Sequence, residues 1–193
     1  MGTRGLYGFR KNEQDKTSDN HFDSYPEGLG ADVLKFIRNH SIEEMNEFYD
    51  RIIMVDQRSN PTDKQKENCI KNGFVNLSVS NQSENDWYCL LRNLQGELEK
   101  LYECEFPYMI DDSDFIKDSL FCEYAYIINL DTNVLEFYKG FQHVPQDGNR
   151  YGIEKTDGYY PCKLEAEIPI EQIQSAKDVN EIISKFMNEE EED

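Results

Sequence analysis

Asn20-His-Phe-Asp-Ser-Tyr-Pro-Glu-Gly-Leu-Gly30 is the stretch around which the predicted fold is organised. The chain leaves a predicted strand at its start, turns at Pro26 and the following glycines, and enters a segment with helical periodicity. No other stretch combines a histidine, carboxylates, aromatic residues, a proline and glycines so closely. We therefore expect a hinge between the first strands and a helix here, and with it a candidate functional site.

The segments on either side of this hinge predict a hairpin and two helices. Residues 3–11 and 16–23 flank a polar turn over 12–15, which is typical of a β-hairpin. Residues 31–39 carry apolar side chains at helical spacing. Ser41-Ile-Glu-Glu44 matches a capping box, so a second helix is expected to begin there. Its predicted apolar stripe consists of Ile42, Met45, Tyr49, Ile52 and Ile53.

The middle of the chain is predicted to be mainly helical. A short charged helix over 63–72 ends at Gly73, which suits the left-handed position after a helix, and residues 76–83 form a polar loop. The longest helix is expected over 85–103, because its apolar residues follow the 3.6-residue period. These expected core residues are Trp87, Leu90, Leu91, Leu94, Leu98, Leu101 and Tyr102.

The C-terminal third predicts a second hairpin. Residues 121–129 and 134–141 are rich in aromatic and β-branched residues and flank a turn over 130–133. Residues 142–160 lack periodicity and contain Gly, Asp, Tyr and Pro, so we expect a long loop of the kind that carries function. Residues 162–168 alternate as a further strand.

This order of elements predicts an α+β fold with a single domain. The N-terminal and C-terminal hairpins are expected to join one mostly antiparallel sheet, and a central helical layer is expected to cover at least one face. Asp178-x-x-Glu181 caps a last helix. The domain is predicted over 1–188, with an acidic tail over 189–193.

The chain is strongly acidic, with 39 Asp and Glu against 20 Lys and Arg and a net charge of −19. Such a field serves solubility, opposes direct binding to nucleic acid or to an anionic membrane, and attracts a basic protein partner. The sequence shows no secretory signal and no apolar run of about 20 residues. The five cysteines form no Cys-x-x-Cys pair. We therefore expect a cytoplasmic protein with reduced thiols and no membrane partner.

His21 and Asp23 are the first candidates for catalysis. They lie two residues apart and would share a face of a strand, where a carboxylate fixes the tautomer of an imidazole and raises its basicity. Ser24 is the neighbouring candidate nucleophile, and Gly28 and Gly30 are predicted to present backbone N–H groups to an anion. The competing interpretation is architectural, with the histidine bonded within the sheet and the glycines shaping the turn.

Other signatures of catalysis are missing from the sequence. There is no Gly-x-Ser-x-Gly elbow, no P-loop and no Gly-x-Gly-x-x-Gly, and removal of Met1 would leave Gly2, which has no nucleophile. The histidines are scattered, and the acidic run from Asp111 to Asp118 lacks the spacing of an EF-hand loop. We therefore expect no metal and no cofactor, and an enzyme is the less favoured interpretation.

Carboxylates at phosphate-like spacing can occupy the basic groove of a nucleic-acid-binding protein. The predicted long helix and its exit supply a candidate row for such a mimic: Glu97, Glu99, Glu103, Glu105, Asp111, Asp112, Asp114 and Asp118.

Gly2-Thr-Arg-Gly5, Tyr7-Gly-Phe-Arg10 and the hinge stretch form a distinctive N-terminal signature. The chain resembles a group of proteins from bacteria, their phages and some eukaryotes. The resemblance covers most of its length, because it includes this signature, the hairpin around Tyr124 to Tyr138 and the run Gly158-Tyr-Tyr-Pro161. That group has no established activity, so the resemblance implies no catalytic residue. A phage setting favours an inhibitor of host defence.

Two functions follow as hypotheses. The first is a non-enzymatic acidic interaction protein that inhibits a basic nucleic-acid-binding or phage-defence protein. The second is a small hydrolase or ligand-binding protein that uses His21, Asp23 and the turn at Gly28 and Gly30.

Overall fold

A five-stranded sheet joins strands from the N-terminal and C-terminal parts of the chain. The computed structural model describes residues 2–187. The strands are β1 Gly5–Lys11, β2 Gln14–Asn20, β3 Ile53–Val55, β4 Tyr108–Ile110, β5 Tyr124–Asn129, β6 Val134–Lys139 and β7 Lys163–Pro169. The helices are α1 Ala31–Asn39, α2 Ile42–Arg51, α3 Asp63–Lys71, α4 Trp87–Leu90, α5 Leu98–Glu103, α6 Ile170–Ser175 and α7 Val179–Met187.

The order of strands in the main sheet is β2-β1-β5-β6-β7. The β1–β2, β5–β6 and β6–β7 pairs are antiparallel, whereas β1 runs parallel to β5 and so joins the two hairpins. The predicted α+β domain with a mostly antiparallel sheet is therefore confirmed. The predicted acidic tail over 189–193 lies outside the described residues.

One carboxylate connects the turns of the two hairpins. Asn12 and Glu13 form the first turn with φ of +52° and +62°, the left-handed pair that a two-residue hairpin turn favours. Their backbone N–H groups donate to Asp131 at 2.7 and 2.9 Å, and these hydrogen bonds lower the pKa of Asp131. Because Asp131 belongs to the second turn, the hairpins are aligned at this end of the sheet.

Both faces of the sheet are covered, because successive side chains of a strand point to opposite sides. One face packs against the helices, through residues that include Tyr7, Phe9, Tyr126, Ile128, Leu135 and Phe137. The other face carries Leu6, Ala125, Ile127 and Tyr138, which pack against Ile116, Cys122 and Cys162. Tyr151, in the long loop over 142–160, packs against this second cluster.

The predicted helix over 85–103 is wrong as one element. The chain forms α4, a series of turns over 91–96 and then α5, and the last of the turn residues, Gly96, has φ of +79°. The Gly96 N–H donates to the Tyr7 hydroxyl at 2.9 Å, and a Cβ at Gly96 would lie 2.6 Å from Oδ1 of Asn20. Contacts with the sheet thus hold the break, although the apolar stripe is in the core as predicted.

A second, two-stranded sheet was not predicted. Strands β3 and β4 pair in parallel, and α2 ends at Arg51. Ile53, expected in the apolar stripe of that helix, instead begins β3 and is 38% exposed. The backbone N–H of Asp112, just after β4, donates to the carbonyl of Thr17 in β2 at 3.1 Å. This contact places the exit of β4 beside β2, the edge strand of the main sheet.

Candidate functional site

The hinge uses its backbone N–H groups internally. Asp23 has φ of +54°, and the N–H groups of Gly28 and Leu29 donate to the carbonyls of Tyr25 and Asp23 at 2.9 Å. A Cβ at Gly28 would lie 2.1 Å from the Asp23 carbonyl oxygen, so this position requires glycine. The N–H of Gly30 also points to the Tyr25 carbonyl, at 3.4 Å. Because these donors are engaged within the hinge, the anion site predicted from Gly28 and Gly30 is wrong.

Ser24 fastens the hinge to the sheet. Its side chain is fully buried, and its hydroxyl donates to the Asn20 carbonyl at 3.0 Å and accepts from the Asn20 amide at 2.9 Å. Its own carbonyl accepts from the Tyr126 hydroxyl at 2.9 Å. A hydroxyl so enclosed does not meet a substrate, and we assign Ser24 an architectural role.

His21 lies beside Asp19 rather than in the predicted pair with Asp23. The predicted pairing of His21 with Asp23 relied on side chains that alternate between the two faces of a strand. That alternation does not reach Asp23, because β2 ends at Asn20 and Asp23 has a left-handed backbone. On the other side of His21 the alternation holds, and Nδ1 of His21 lies 3.7 Å from Oδ2 of Asp19. The Asp19 side chain is 11% exposed and that of His21 is 39% exposed, so the imidazole is the member of the pair that a ligand can reach.

A cleft of about 670 Å³ opens at this imidazole. Its volume falls within the range of roughly 300–1,000 Å³ that is typical of ligand sites. Its walls come from the segment before β1, the end of β2, the turn after β3, residues 76–95 around α4, and the exit of β4. The lining residues are Arg4, Asp19, His21, Phe22, Gln57, Asn76, Val79, Ser80, Tyr88, Arg92, Gln95, Ile110, Asp112 and Phe115.

Asp112 supplies a second carboxylate to the cleft. Its Oδ2 accepts from the backbone N–H of Asp19 at 2.9 Å and from the Ser18 hydroxyl at 3.3 Å. Burial raises the pKa of Asp112 from 3.8 to about 6, and the negative charges of Asp19 and Asp111 act in the same direction. The Asp112 carboxyl group therefore changes its protonation state near pH 6.

Two arginines rest on aromatic rings at the cleft. The guanidinium carbon of Arg4 lies 4.4 Å from the centroid of Phe115, and that of Arg92 lies 5.2 Å from the centroid of Phe22. The imidazole of His21 meets Phe22 edge-on, with ring centroids 4.9 Å apart. Cationic and aromatic groups thus lie together in the cleft.

Sequence reasoning missed most of this cleft. Asp19 could have been predicted from the sequence, because it lies two residues before His21, just as Asp23 lies two residues after it, and residues two apart share a face of a strand. Arg4, Tyr88, Arg92 and Gln95 had no such signal, since they come from segments far apart in the chain. Asp112 was predicted only as a member of the acidic row.

The acidic row does not follow one helix. Glu97 and Glu99 lie after the break at Gly96, and Oε2 of Glu99 lies 2.8 Å from Nε2 of His40. Oδ1 of Asp114 accepts from Nζ of Lys117 at 2.7 Å. Asp111 accepts hydrogen bonds from the backbone N–H and hydroxyl of Ser113, burial raises the pKa of Asp118, and Glu103 and Glu105 are exposed.

Within residues 2–187, no group of three or more His, Cys, Asp or Glu side chains is arranged to hold a metal ion. Over the same residues, no helix combines the length and apolar character that a membrane span needs.

Comparisons with known proteins add no family to this geometry. No family model, curated protein or solved structure matches the chain. The resemblance drawn from the N-terminal signature therefore stays a prediction, and a function has to be inferred from the cleft and the charge.

Proposed function

We propose that the protein binds a small polar molecule in the cleft at the end of β2, with His21 as a central contact. The observation that carries this proposal is the convergence of one imidazole, two carboxylates and two guanidinium groups on a cavity of about 670 Å³. Ligand sites typically combine apolar walls with a few such convergent polar groups.

The imidazole is suited to hold a ligand in a defined orientation. Asp19 lies 3.7 Å from Nδ1 of His21, and the imidazole is 39% exposed. Its ring nitrogens can donate to or accept from a ligand hydroxyl or amide. The hydroxyls of Ser18 and Ser80 already donate to carboxylates, and Ser24 is buried, so binding is better supported than a covalent hydrolase mechanism.

Thermal shift of the full chain against a library of small polar metabolites tests the proposal. A ligand present at about 100 times its dissociation constant stabilises a protein by about 2.7 kcal/mol. For a chain of this size we expect the Tm to rise by roughly 5–10 °C. His21→Ala should abolish the shift because it removes the central contact.

His143→Ala is the matched control for that experiment. His143 is exposed, packs on Tyr159 in the loop over 142–160 and does not line the cleft. This variant should keep the full shift. A shift lost equally in both variants, or kept in both, would contradict binding at His21, and a library without any stabilising compound would count against the proposed function.

A second candidate function is an acidic interaction protein that inhibits a basic nucleic-acid-binding or phage-defence protein in the cytoplasm. The net charge of −19 favours it, because such a field speeds association with a basic surface.

We expect Glu97→Lys, Glu103→Lys and Glu105→Lys together to weaken capture of a basic partner at least tenfold at low salt. Asp63→Lys with Glu67→Lys on α3 is the control, and binding that survives the first reversals and high salt would exclude this function.

A further inference from the structure

Arg92 is a cation in the cleft without a carboxylate partner. Within residues 2–187 it forms no ion pair, and its guanidinium group rests on Phe22 instead. A planar guanidinium group matches the oxygens of a phosphate in a two-point hydrogen bond.

Arg4 adds a second positive charge that is only loosely engaged. Its Nη2 lies 3.2 Å and its Nε lies 3.4 Å from the Asp19 carboxylate oxygens. Strong charge-assisted hydrogen bonds of this type measure about 2.7–2.9 Å. Arg4 therefore retains donor capacity for a ligand anion, while its contact with Phe115 holds the guanidinium group in place.

The same cleft offers aromatic surface and amide groups. Phe22 is 46% exposed, and Tyr88 and Phe115 are half-buried. Every nucleobase has a flat face that packs on such rings, as in proteins that bind single strands. Gln57 and Asn76 also line the cleft. The Gln57 amide can donate to and accept from the edge of a base, whereas Asn76 has only its NH2 group to offer, because its Oδ1 accepts from the N–H and hydroxyl of Ser78.

The overall charge limits the length of such a ligand. Electrostatic screening at physiological ionic strength acts over about 8 Å, so an anion inside the cleft responds mainly to the groups that line it, where Arg4 and Arg92 offset the carboxylates of Asp19 and Asp112. A long polyanion would leave the cleft and run along a surface that contributes to a net charge of −19. A single nucleotide fits these conditions and a nucleic-acid strand does not.

We infer that the ligand of the cleft is a mononucleotide, whose phosphate contacts Arg92 and Arg4 and whose base packs among Phe22, Tyr88 and Phe115. This inference rests on the proposed binding function and specifies its ligand class. A base alone would leave the two cations unused, and a simple sugar phosphate would leave the exposed rings unused.

Isothermal titration of the full chain at low salt tests the ligand class. The probes are AMP, GMP, CMP and UMP, the matching nucleosides, ribose 5-phosphate and a dT10 oligonucleotide. We expect at least one nucleotide to bind tenfold or more tightly than its nucleoside and than ribose 5-phosphate, because only the nucleotide uses both the cations and the rings. Arg92→Gln should remove the advantage over the nucleoside and leave nucleoside binding within about twofold.

Arg38→Gln is the matched control, since Arg38 lies on α1, outside the cleft, and donates only weakly to the Lys177 carbonyl. It should bind nucleotides as the unaltered protein does. Equal binding of nucleotides and nucleosides, tighter binding of the oligonucleotide, or an unchanged preference in Arg92→Gln would overturn the inference. If no nucleotide binds while a library compound gives a shift that His21→Ala abolishes, the nucleotide class is wrong and the binding function stands. If no library compound does so either, both are wrong.

Discussion

At the scale of single residues, the side chains of His21 and Asp112 in the cleft differ in their access to solvent. His21 is reachable from solvent and lies beside Asp19, whereas Asp112 is largely withdrawn and hydrogen-bonded to the backbone of Asp19. A buried carboxyl group costs stability when it is ionised, because the folded protein solvates its charge less well than water does. Asp112 therefore ties the stability of the cleft to pH.

The substitution Asp112→Asn should stabilise the protein at neutral pH. Because the folded-state pKa is raised to about 6 from 3.8, the folded protein gains stability from protonation below pH 4 and loses it as the pH rises through 6. Asparagine keeps the acceptor for Asp19 and carries no charge. We expect urea unfolding to show a gain of about 1–3 kcal/mol at pH 7.5 that shrinks as the pH falls towards 4.

Asp114→Asn is the control for this pH dependence, because Asp114 is exposed and pairs with Lys117 at the surface. Its effect on the free energy of unfolding should stay small at pH 7.5. A gain in Asp112→Asn that is equally large at pH 7.5 and pH 4 would show that ionisation is not its cause.

At the scale of elements, one ion pair fastens the long loop over 142–160 to the sheet. Arg150 bonds both carboxylate oxygens of Glu136, in β6, at 2.7 and 2.9 Å, and Glu136 is 2% exposed. The neighbouring Tyr151 hydroxyl donates to Asp15 in β2 at 2.7 Å. The loop thus spans from one strand to another across the face of the sheet that the helices do not cover.

Arg150→Met should destabilise the fold because it leaves the Glu136 carboxylate buried without its partner. We expect the free energy of unfolding in urea to fall by about 1–3 kcal/mol, since Arg150 itself is partly exposed. The double variant Glu136→Leu/Arg150→Met should recover much of that loss, because it removes the buried charge as well. A double variant that is as unstable as the single one would mean that packing of Arg150, and not the ion pair, holds the loop.

At the scale of the whole molecule, the net charge of −19 opposes compactness. Carboxylates near the surface repel one another, and added salt screens that repulsion within a few ångströms. In the cleft, Arg4 and Arg92 offset the carboxylates of Asp19 and Asp112.

Raising NaCl from 0.05 to 0.5 M at pH 7.5 should therefore raise the Tm by roughly 2–5 °C, measured by circular dichroism. Near the sequence pI of about 4.5 the same increase in salt should have little effect, because the net charge is close to zero. A Tm that falls with salt at pH 7.5 would show that attractive ion pairs outweigh the repulsion.

The sequence by itself determined the hairpins, the capped helices and the hinge, because these depend on turn residues, capping boxes and periodicity within short segments. It also identified His21 as a candidate, though with the wrong carboxylate. Only the tertiary structure decided that the predicted long helix is interrupted over 91–96, since the turn at Gly96 contacts Tyr7 and Asn20, which lie far away in the chain. The same holds for the cleft, whose walls come from five separate segments that long-range contacts, such as that of β4 with β2, bring together.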